Sequence, residues 1–496
     1  MASWSHPQFE KIEGRRDRGP EFELGTENLF FEGETIAIVG GTLIDGNGGV
    51  PVPETTVFIE DGRITKVGST DQIEVHPNIR QIDAQGKWIL PGLVNGNVHL
   101  LDGIMMMGRG GIEYLARFEG NYYKVIEEAA QIALRGGVTT VFDTWNALEP
   151  VTIARDRIAS GAAEGARIFF AGTLIGMGGP FTGDFMRPSM QARTVMSRTF
   201  ADRMDAMFEV GMGRHLSTLP PAEVRPLIRE YLERGVDFCK IAVTDHLVGL
   251  LGFRAPYFTF SERVLDVLVD EVRRAGVPLL THTTSLEGLN TAIERDADLM
   301  IHATMTGQAP IPEETIEKLL EKQLWSEVQP TTIAQQAWMD SVDHPFADFS
   351  GRVHHENDVR MIKAGVPLVL GTDAGCTDPD ILEDMSQGEL HERPWTLGED
   401  HFVWMQAMVE KGMDPMAAIL AGTANPAKAY RKFDELGSID VGKLGDVVVL
   451  DQDPLADITN MRTLSHVVKE GREIDFHGLP LSPLVTAYPR TANVLD

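Results

Sequence analysis

PGLVNGNVHLLDG, residues 91–103, gives the first indication of the architecture. A Pro-Gly turn leads into a short apolar strand, which we predict over 93–101. The polar residues of this strand alternate, and side chains i and i+2 lie on the same face of a strand. Asn97 and His99 are therefore predicted to be neighbours. Such a pair can supply half of a metal site, whereas an Asn and a His that merely cap a strand end would give the same pattern.

The first 33 residues are an expression tag with protease sites, and they are excluded from the fold. They contain an affinity tag at 4–11 (WSHPQFEK) and a protease site at 12–15 (IEGR). A second protease site at 27–33 (ENLFFEG) departs from the usual sequence at two positions. The rest of the chain is long enough for one large domain and a smaller one.

Charge and cysteine content exclude several classes of function. The formal net charge of −29 argues against nucleic acid and anionic membranes as partners, because both favour basic surfaces. No apolar run reaches the length of a transmembrane helix. Cys239 and Cys376 are too few for a disulfide framework, so we interpret them as packing residues and expect a cytoplasmic protein.

Strand and helix patterns alternate from about residue 93 to residue 424, which predicts an α/β fold, a (β/α)8 TIM barrel. The predicted barrel strands are 93–101, 138–143, 166–172, 236–243, 277–282, 299–302, 324–329 and 366–373. The predicted helices between them are 123–135, 151–164, 221–234, 261–275, 286–296, 311–322 and 355–364. Two further stretches, 177–194 and 344–354, are predicted insertions and candidates for covering the site.

Short β-branched runs near both ends of the chain predict a small β-sandwich that pairs the two ends. These runs are 35–39, 56–60, 63–67, 81–90, 445–451 and 467–474. The predicted division is therefore an N-terminal part of the sandwich at 34–92, a metal-dependent barrel at 93–424 and a C-terminal part of the sandwich at 425–496.

The predicted C-terminal ends of the barrel strands carry polar and ionisable residues. In such barrels the active-site residues lie at these strand ends. These residues are Asn97, His99, Lys240, His282, His302 and Asp373. A buried charge is costly without a partner, so their convergence is best explained by a cation. The nitrogen and oxygen donors suit zinc, cobalt or manganese. A desolvated Lys240 can react with CO₂ to give a carbamate that bridges two metal ions.

This arrangement resembles the amidohydrolase superfamily, over essentially all of residues 34–496. The supporting stretches are LPGLVNGNVH at 90–99, LGTDAG at 370–375, AGTANPAK at 421–428 and LGSIDVGKLGDVVVLD at 436–451. The resemblance implies a site with two divalent metal ions. One ion would take Asn97, His99 and Asp373, the other would take His282 and His302, and carbamylated Lys240 would bridge them. Since such barrels commonly assemble, we also expect a homo-oligomer.

One position departs from the superfamily, which normally has His-x-His on the first barrel strand. Asn97 replaces the first His, and an amide oxygen is a weaker donor, so we predict a less tightly held metal ion or an Asn97 that only orients water. The Asn-x-His pattern is similar to the subgroup that contains molinate hydrolase and the phenylurea hydrolases. That resemblance implies cleavage of the C–N bond of a small apolar thiocarbamate or urea by metal-bound hydroxide.

Further residues are assigned roles from their positions after the predicted strands. Asp373 is the candidate general base and then acid, and His246 is a candidate donor to the substrate carbonyl. An apolar pocket for a small-molecule substrate is predicted from residues that would equally suit ordinary loop packing. These pocket residues are Met105, Met107, Trp145 and Phe181.

Other functions remain open at this point. A mononuclear deaminase would carry His-x-x-Glu on the fifth barrel strand, but Ser285 stands where the Glu would be three residues after His282. A dipeptidase or a cyclic-amide hydrolase fits the same donors, and a non-catalytic ligand-binding barrel is a remote alternative. His354 and His355 precede a helix and fall at no strand end, so they are predicted at the surface.

Overall fold

A computed structural model describes residues 35–101, 115–184, 194–244, 257–307, 309–342, 352–376 and 396–487. The strands of these residues are β1 (Ile36–Leu43), β2 (Val52–Glu60), β3 (Arg63–Ser69), β4 (Arg80–Asp83), β5 (Trp88–Pro91), β6 (Leu93–Val98), β7 (Val138–Asp143), β8 (Arg167–Phe170), β9 (Leu174–Ile175), β10 (Cys239–Ala242), β11 (Leu279–His282), β12 (Leu299–Ile301), β13 (Trp325–Val328), β14 (Leu368–Leu370), β15 (Val447–Leu450), β16 (Leu464–Lys469) and β17 (Arg472–Ile474).

The α-helices alternate with the barrel strands and then follow them. They are α1 (Tyr122–Arg135), α2 (Leu148–Ala159), α3 (Val195–Glu209), α4 (Pro221–Leu232), α5 (Glu262–Ala275), α6 (Leu286–Glu294), α7 (Glu313–Glu321), α8 (Ile333–Val342), α9 (Arg352–Ala364), α10 (Asp400–Glu410), α11 (Pro415–Ala421) and α12 (Ala424–Ala429). Among the helices of the described ranges, none combines the length and the apolar character needed to cross a lipid bilayer.

Parallel strands form the predicted (β/α)8 barrel. β6, β7 and β8 pair in that order, and β9 to β14 pair in sequence, so β8 and β9 together fill the third position of the ring. The first and eighth positions meet at a bridge between Val98 and Ala374. There the carbonyl oxygen of Asn97 accepts the N–H groups of Thr372 (3.0 Å) and Asp373 (2.8 Å). The fold class predicted from the sequence is confirmed.

Aromatic rings fill the interior of the barrel beneath the strand ends. The rings of Phe142 on β7 and Tyr430 after α12 stack with centroids 3.7 Å apart, and Phe238 meets Tyr430 edge-on at 4.8 Å. The Tyr430 hydroxyl donates to the carbonyl oxygen of Gly96 (2.6 Å). This packing supports the strand that carries Asn97 and His99 from below.

Strands from both ends of the chain form the β-sandwich. The order is β17-β16-β15-β5-β1-β2-β3, and β4 pairs with β1. β15 is apolar at every position because both of its faces are buried. Val447 and Val449 belong to the sandwich core, and Val448 and Leu450 pack in the core that surrounds the barrel. The boundaries 34–92, 93–424 and 425–496 stay a prediction.

Some predicted elements are divided in the structure by turns that hydrophobicity did not reveal. The predicted strand 81–90 is β4 and β5, because Lys87 N–H closes a turn onto the Ala84 carbonyl oxygen (2.8 Å). The predicted strand 467–474 is the hairpin of β16 and β17, whose turn holds Glu470 at φ 50° and Gly471 at φ 72°. In both cases an Xaa-Gly pair marks the turn.

The prediction that His354 lies at the surface is wrong. α9 begins at Arg352 rather than at residue 355, which places His354 and Asp358 on the same buried helix face. Asp358 pairs there with the buried ammonium of Lys411 at 2.8 Å, and His354 Nε2 lies 3.6 Å from the same carboxylate. His355, the next residue, is half-buried.

Candidate metal centre

Four of the predicted ligands, three imidazoles and one carboxylate, meet at the C-terminal end of the barrel. His99 Nε2 lies 3.3 Å from Asp373 Oδ1, and His302 Nε2 lies 3.8 Å from Asp373 Oδ2. The ring of His282 approaches the ring of His302 edge-on, with centroids 5.0 Å apart. The first, fifth, sixth and eighth positions of the barrel thus direct their side chains to one place.

Two of these residues reach the site through an unusual backbone conformation. His302 has φ 59° and Asp373 has φ 55°, so both lie in the left-handed region. Such a conformation costs on the order of 1–3 kcal/mol for a residue other than glycine, although Asp and His tolerate it better than most. His302 directly follows β12, and Asp373 lies three residues after the end of β14, so at each position the left-handed conformation interrupts the strand alternation and redirects the side chain.

Lys240 and Asn97 are linked by a hydroxyl that the sequence reasoning missed. Lys240 Nζ donates to Thr144 Oγ1 (2.9 Å), and Thr144 Oγ1 donates to Asn97 Oδ1 (2.5 Å). All three side chains are buried. The ammonium of β10 and the amide of β6 are therefore joined through the residue that follows β7.

Glu327 on β13 is a second residue that the sequence reasoning missed. It is completely buried, and its Oε2 accepts the backbone N–H of His302 (2.8 Å). Its signal was a lone acidic residue inside the short apolar strand 324–329. Asp143, at the end of β7, was missed in the same way. It accepts hydrogen bonds from Leu100 N–H (3.2 Å) and Asn146 Nδ2 (2.7 Å).

Burial shifts the pKa values of these groups, and nearby charges oppose some of the shifts and add to others. Burial lowers the pKa of Lys240, against the attraction of Asp373, Glu327 and Asp143. Burial together with the charge of Asp373 raises the pKa of Glu327 to about 8, and burial raises that of Asp143 to about 7. Burial would also raise the pKa of Asp373, but His99, His302 and Lys240 hold it below its ordinary value.

The remaining predicted site residues are divided between the described and the undescribed parts of the chain. Trp145 is buried beside the centre, with its ring edge-on to His99 at 5.7 Å. Phe181 is completely buried, and its N–H donates to Asp205 of α3 (2.7 Å). Met105, Met107 and His246 lie outside the described residues, as does most of the predicted insertion 344–354.

Both cysteines are buried and neither forms a disulfide, as their interpretation as packing residues requires. Burial raises the pKa of Cys239, on β10 beside Lys240, to about 12. A thiol of that kind stays protonated at neutral pH and makes a poor nucleophile.

The donor set fits a divalent metal. Imidazole nitrogens and a carboxylate are suitable ligands, and a buried lysine whose pKa is lowered can form a carbamate. Among the described residues, Asn97 Nδ2, Glu327 Oε1 and Asp373 Oδ1 are buried atoms that make no hydrogen bond of good geometry. In the same part of the chain, however, no three His, Cys, Asp or Glu side chains converge closely enough to hold an ion as they stand. Metal loading would therefore require the carbamate oxygens or small movements of these side chains.

Comparison with known proteins agrees with this geometry. The model of the amidohydrolase family matches residues 88–474, which is most of the chain. The chain belongs to the amidohydrolase family. The crystal structure of phenylurea hydrolase B superposes on this amidohydrolase with a TM-score of 0.87 and 50% sequence identity, covering 92% of this chain and 100% of that one. The resemblance to phenylurea hydrolases indicated by the sequence is confirmed by this likeness.

More distant relatives share the fold over most of their length. Imidazolonepropionase from Symbiobacterium thermophilum is 26% identical over 450 residues, covering 85% of this amidohydrolase and 90% of the relative. Ochratoxinase from Aspergillus niger is 22% identical, covering 89% and 87%. A Xaa-Pro dipeptidase structure, 23% identical with a TM-score of 0.69, covers 89% of this chain and 99% of its own, and it shows the fold alone.

Proposed function

We propose that this amidohydrolase hydrolyses the urea C–N bond of a small, apolar phenylurea. The observation that carries the proposal is the 50% identity to phenylurea hydrolase B over the whole of that chain. The convergence of His99, His282, His302 and Asp373 at the barrel mouth supports it, because hydrolysis of an unreactive urea needs strong activation of both water and carbonyl.

Two divalent metal ions would be held by the residues described above. Asn97, His99 and Asp373 would face one ion, His282 and His302 the other, and the carbamate of Lys240 would lie between them. Bound zinc, cobalt or manganese would lower the pKa of a water molecule toward 7 and polarise the urea carbonyl. Members of this family typically depend on metal ions.

Asp373 is the residue of the chain best placed to move the proton. Its low pKa keeps the carboxylate deprotonated at neutral pH, so it can accept the proton of the attacking water and pass it to the departing amine. Nε2 of His99 lies 3.3 Å from one of its oxygens, and Nε2 of His302 lies 3.8 Å from the other. Trp145, edge-on to His99, would provide an apolar wall for the substrate.

Other roles stay predictions of the sequence. His246 would donate to the carbonyl oxygen, and Met105, Met107 and Phe181 would line the substrate pocket. The expectations of a homo-oligomer and of a cytoplasmic location have the same status.

The proposal is tested by product release after metal exchange. The purified enzyme is stripped with a chelator, reloaded with Zn²⁺ or Co²⁺ in bicarbonate, and assayed on a phenylurea, a thiocarbamate, a dipeptide and a hydantoin. We expect arylamine release from the phenylurea, and we expect the K240R variant, which cannot form the carbamate, to lose it. Hydrolysis confined to the dipeptide or the hydantoin, or no arylamine release from the reloaded enzyme, would contradict the proposal.

A further inference from the structure

Glu327 is a buried acidic residue for which the proposed reaction has no role. It lies on β13, between the strand that leads to His302 and the strand that leads to Asp373. Its side chain is completely buried, although a carboxylate is costly to remove from water. A buried acidic group of this kind needs neighbours that compensate for the hydration it has lost.

The carboxylate of Glu327 contacts His302 at two points. Oε2 accepts the His302 backbone N–H at 2.8 Å and lies 3.5 Å from His302 Nδ1. The backbone contact fixes a residue whose φ of 59° is intrinsically unfavourable. The side-chain contact places the carboxylate behind the imidazole, so that Nε2 faces Asp373. The backbone carbonyl of Glu327 also accepts the N–H of Ala303 (3.0 Å).

The same carboxylate faces Asn97 on the other side of the centre. The two side chains are neighbours across Gly371, although Asn97 Nδ2 and Glu327 Oε1 do not reach the geometry of a good hydrogen bond within the described residues. Asn97 Oδ1 is already occupied by the Thr144 hydroxyl. The amide is therefore oriented with its oxygen toward Thr144 and its nitrogen toward Glu327.

Gly371 leaves the space that the Glu327 side chain occupies. A Cβ atom at this position would lie 2.5 Å from Cγ and Oε1 of Glu327 and 2.7 Å from Cβ of Asn97. Contacts this short do not occur between carbon atoms in folded proteins, so only glycine lets the eighth barrel strand approach so closely. The carboxylate is thus confined between two strands that carry predicted ligands.

We propose that Glu327 is a positioning residue of the metal centre, which orients the imidazole of His302 and the amide of Asn97. The inference rests on the proposed function in that it requires the centre to bind divalent metal. A carboxylate behind a ligating imidazole fixes the tautomer and the direction of the ring, and loss of such a partner typically weakens metal binding about 10- to 100-fold.

The test is a Co²⁺ titration of the chelator-stripped enzyme, with the wild type and the E327Q variant compared in bicarbonate buffer. Gln keeps the size of the side chain but replaces its carboxyl group with an amide, which has one acceptor oxygen fewer. We expect the Kd for Co²⁺ to rise about 10- to 100-fold and the visible d–d absorption band of the bound ion to shift.

The matched control is E128Q, which makes the same substitution at another buried acidic residue. Glu128 lies on α1, away from the barrel mouth. Its carboxylate accepts hydrogen bonds from the N–H groups of Leu484, Val485 and Thr486. We expect E128Q to bind Co²⁺ as the wild type does.

A folded E327Q variant with the wild-type Kd and absorption band would overturn the proposal. If E327Q does not fold, E327D keeps the carboxylate but shortens the side chain by one methylene, which draws it away from His302, and the same two readouts apply with the same interpretation. Wild-type enzyme that binds no Co²⁺ would overturn the proposal together with the metal centre. Absence of phenylurea hydrolysis, by contrast, would contradict the proposed substrate while the titration still decides the role of Glu327.

Discussion

The backbone of Asp373 lies in the left-handed region of φ, and its carboxylate lies between two imidazoles. The D373N variant should fold, because Asn tolerates positive φ about as well as Asp. We expect kcat for a phenylurea to fall at least about 100-fold, since general acid–base catalysis contributes at least that much. The assay is arylamine release, with the melting temperature recorded to show that the fold is kept.

D296N is a suitable control for D373N. Asp296 also has a positive φ, 47°, but it lies in an exposed turn where it pairs with Lys322 at 2.6 Å. The D296N variant should retain the wild-type kcat. An active D373N enzyme would exclude the role of Asp373 in proton transfer.

The hydrogen bonds of Thr144 lead to a prediction about the free energy of unfolding. Thr144→Val removes the hydroxyl between Lys240 and Asn97, which leaves a buried ammonium and a buried amide oxygen without that partner. We expect the free energy of unfolding in urea to fall by about 1–3 kcal/mol. Thr281→Val is the matched comparison. Thr281 is also buried, but its hydroxyl makes no hydrogen bond to the described residues, so its loss should be neutral or slightly stabilising. Equal losses in the two variants would contradict this assignment.

The ligands that the sequence predicts include His282, which ends an apolar strand, and Lys240, which interrupts one. Glu327 escaped because its strand also contains the polar residue Ser326, and Thr144 escaped because it looks like an ordinary β-branched residue. The positive φ of His302 and Asp373 could not be predicted either, because it depends on contacts between distant strands. Local patterns thus identify donors, but not the residues that orient them.

At the level of elements, α10 is joined to the loop after α1 by a buried histidine. His401 Nε2 donates to the carbonyl oxygen of Gly136 (2.9 Å), and burial lowers the pKa of His401 from 6.5 to about 3. In the unfolded chain this histidine takes up a proton as the pH falls below about 6.5, whereas in the folded chain it does not. Its contribution to stability is therefore complete at neutral pH and is lost as the pH falls from about 6.5 toward 3.

The H401Q variant tests this pH dependence, because Gln keeps a donor for Gly136 but does not titrate. Between pH 7 and pH 5 the wild type should lose about 2 kcal/mol more stability than H401Q. Urea unfolding at both pH values measures the difference. The H76Q variant, at an exposed histidine, should behave as the wild type does. Parallel pH profiles for the wild type and H401Q would show that His401 takes up its proton in the folded state.

The hydrophobic periodicity of the sequence predicted the barrel elements well. β7 coincides with its predicted bounds, and α1 differs from its predicted bounds by one residue. The predictions failed where a turn is formed by few residues, as between β4 and β5. They also failed at α9, where a polar helix face is buried against Lys411 rather than exposed. Hydrophobicity alone cannot identify a face that is buried through ion pairs.

For the whole molecule, metal loading should be visible as stability. A ligand that binds only the folded state stabilises it by about 2.7 kcal/mol at a concentration 100 times Kd. We expect chelation to lower the melting temperature, and Zn²⁺ to restore it more completely in the presence of bicarbonate, because the lysine carbamate forms from CO₂. Calorimetry of the wild type and of K240R measures the effect. A bicarbonate response that persists in K240R would argue against the carbamate.

β15 has no solvent-facing side, since alternate residues serve the sandwich and the barrel wall. Its loss would uncover apolar surface on both neighbours at once. A shortened chain that ends at the last barrel helix should therefore not fold into a soluble, active enzyme. β15, which follows the barrel in sequence, is thus needed to cover both the barrel wall and the sandwich.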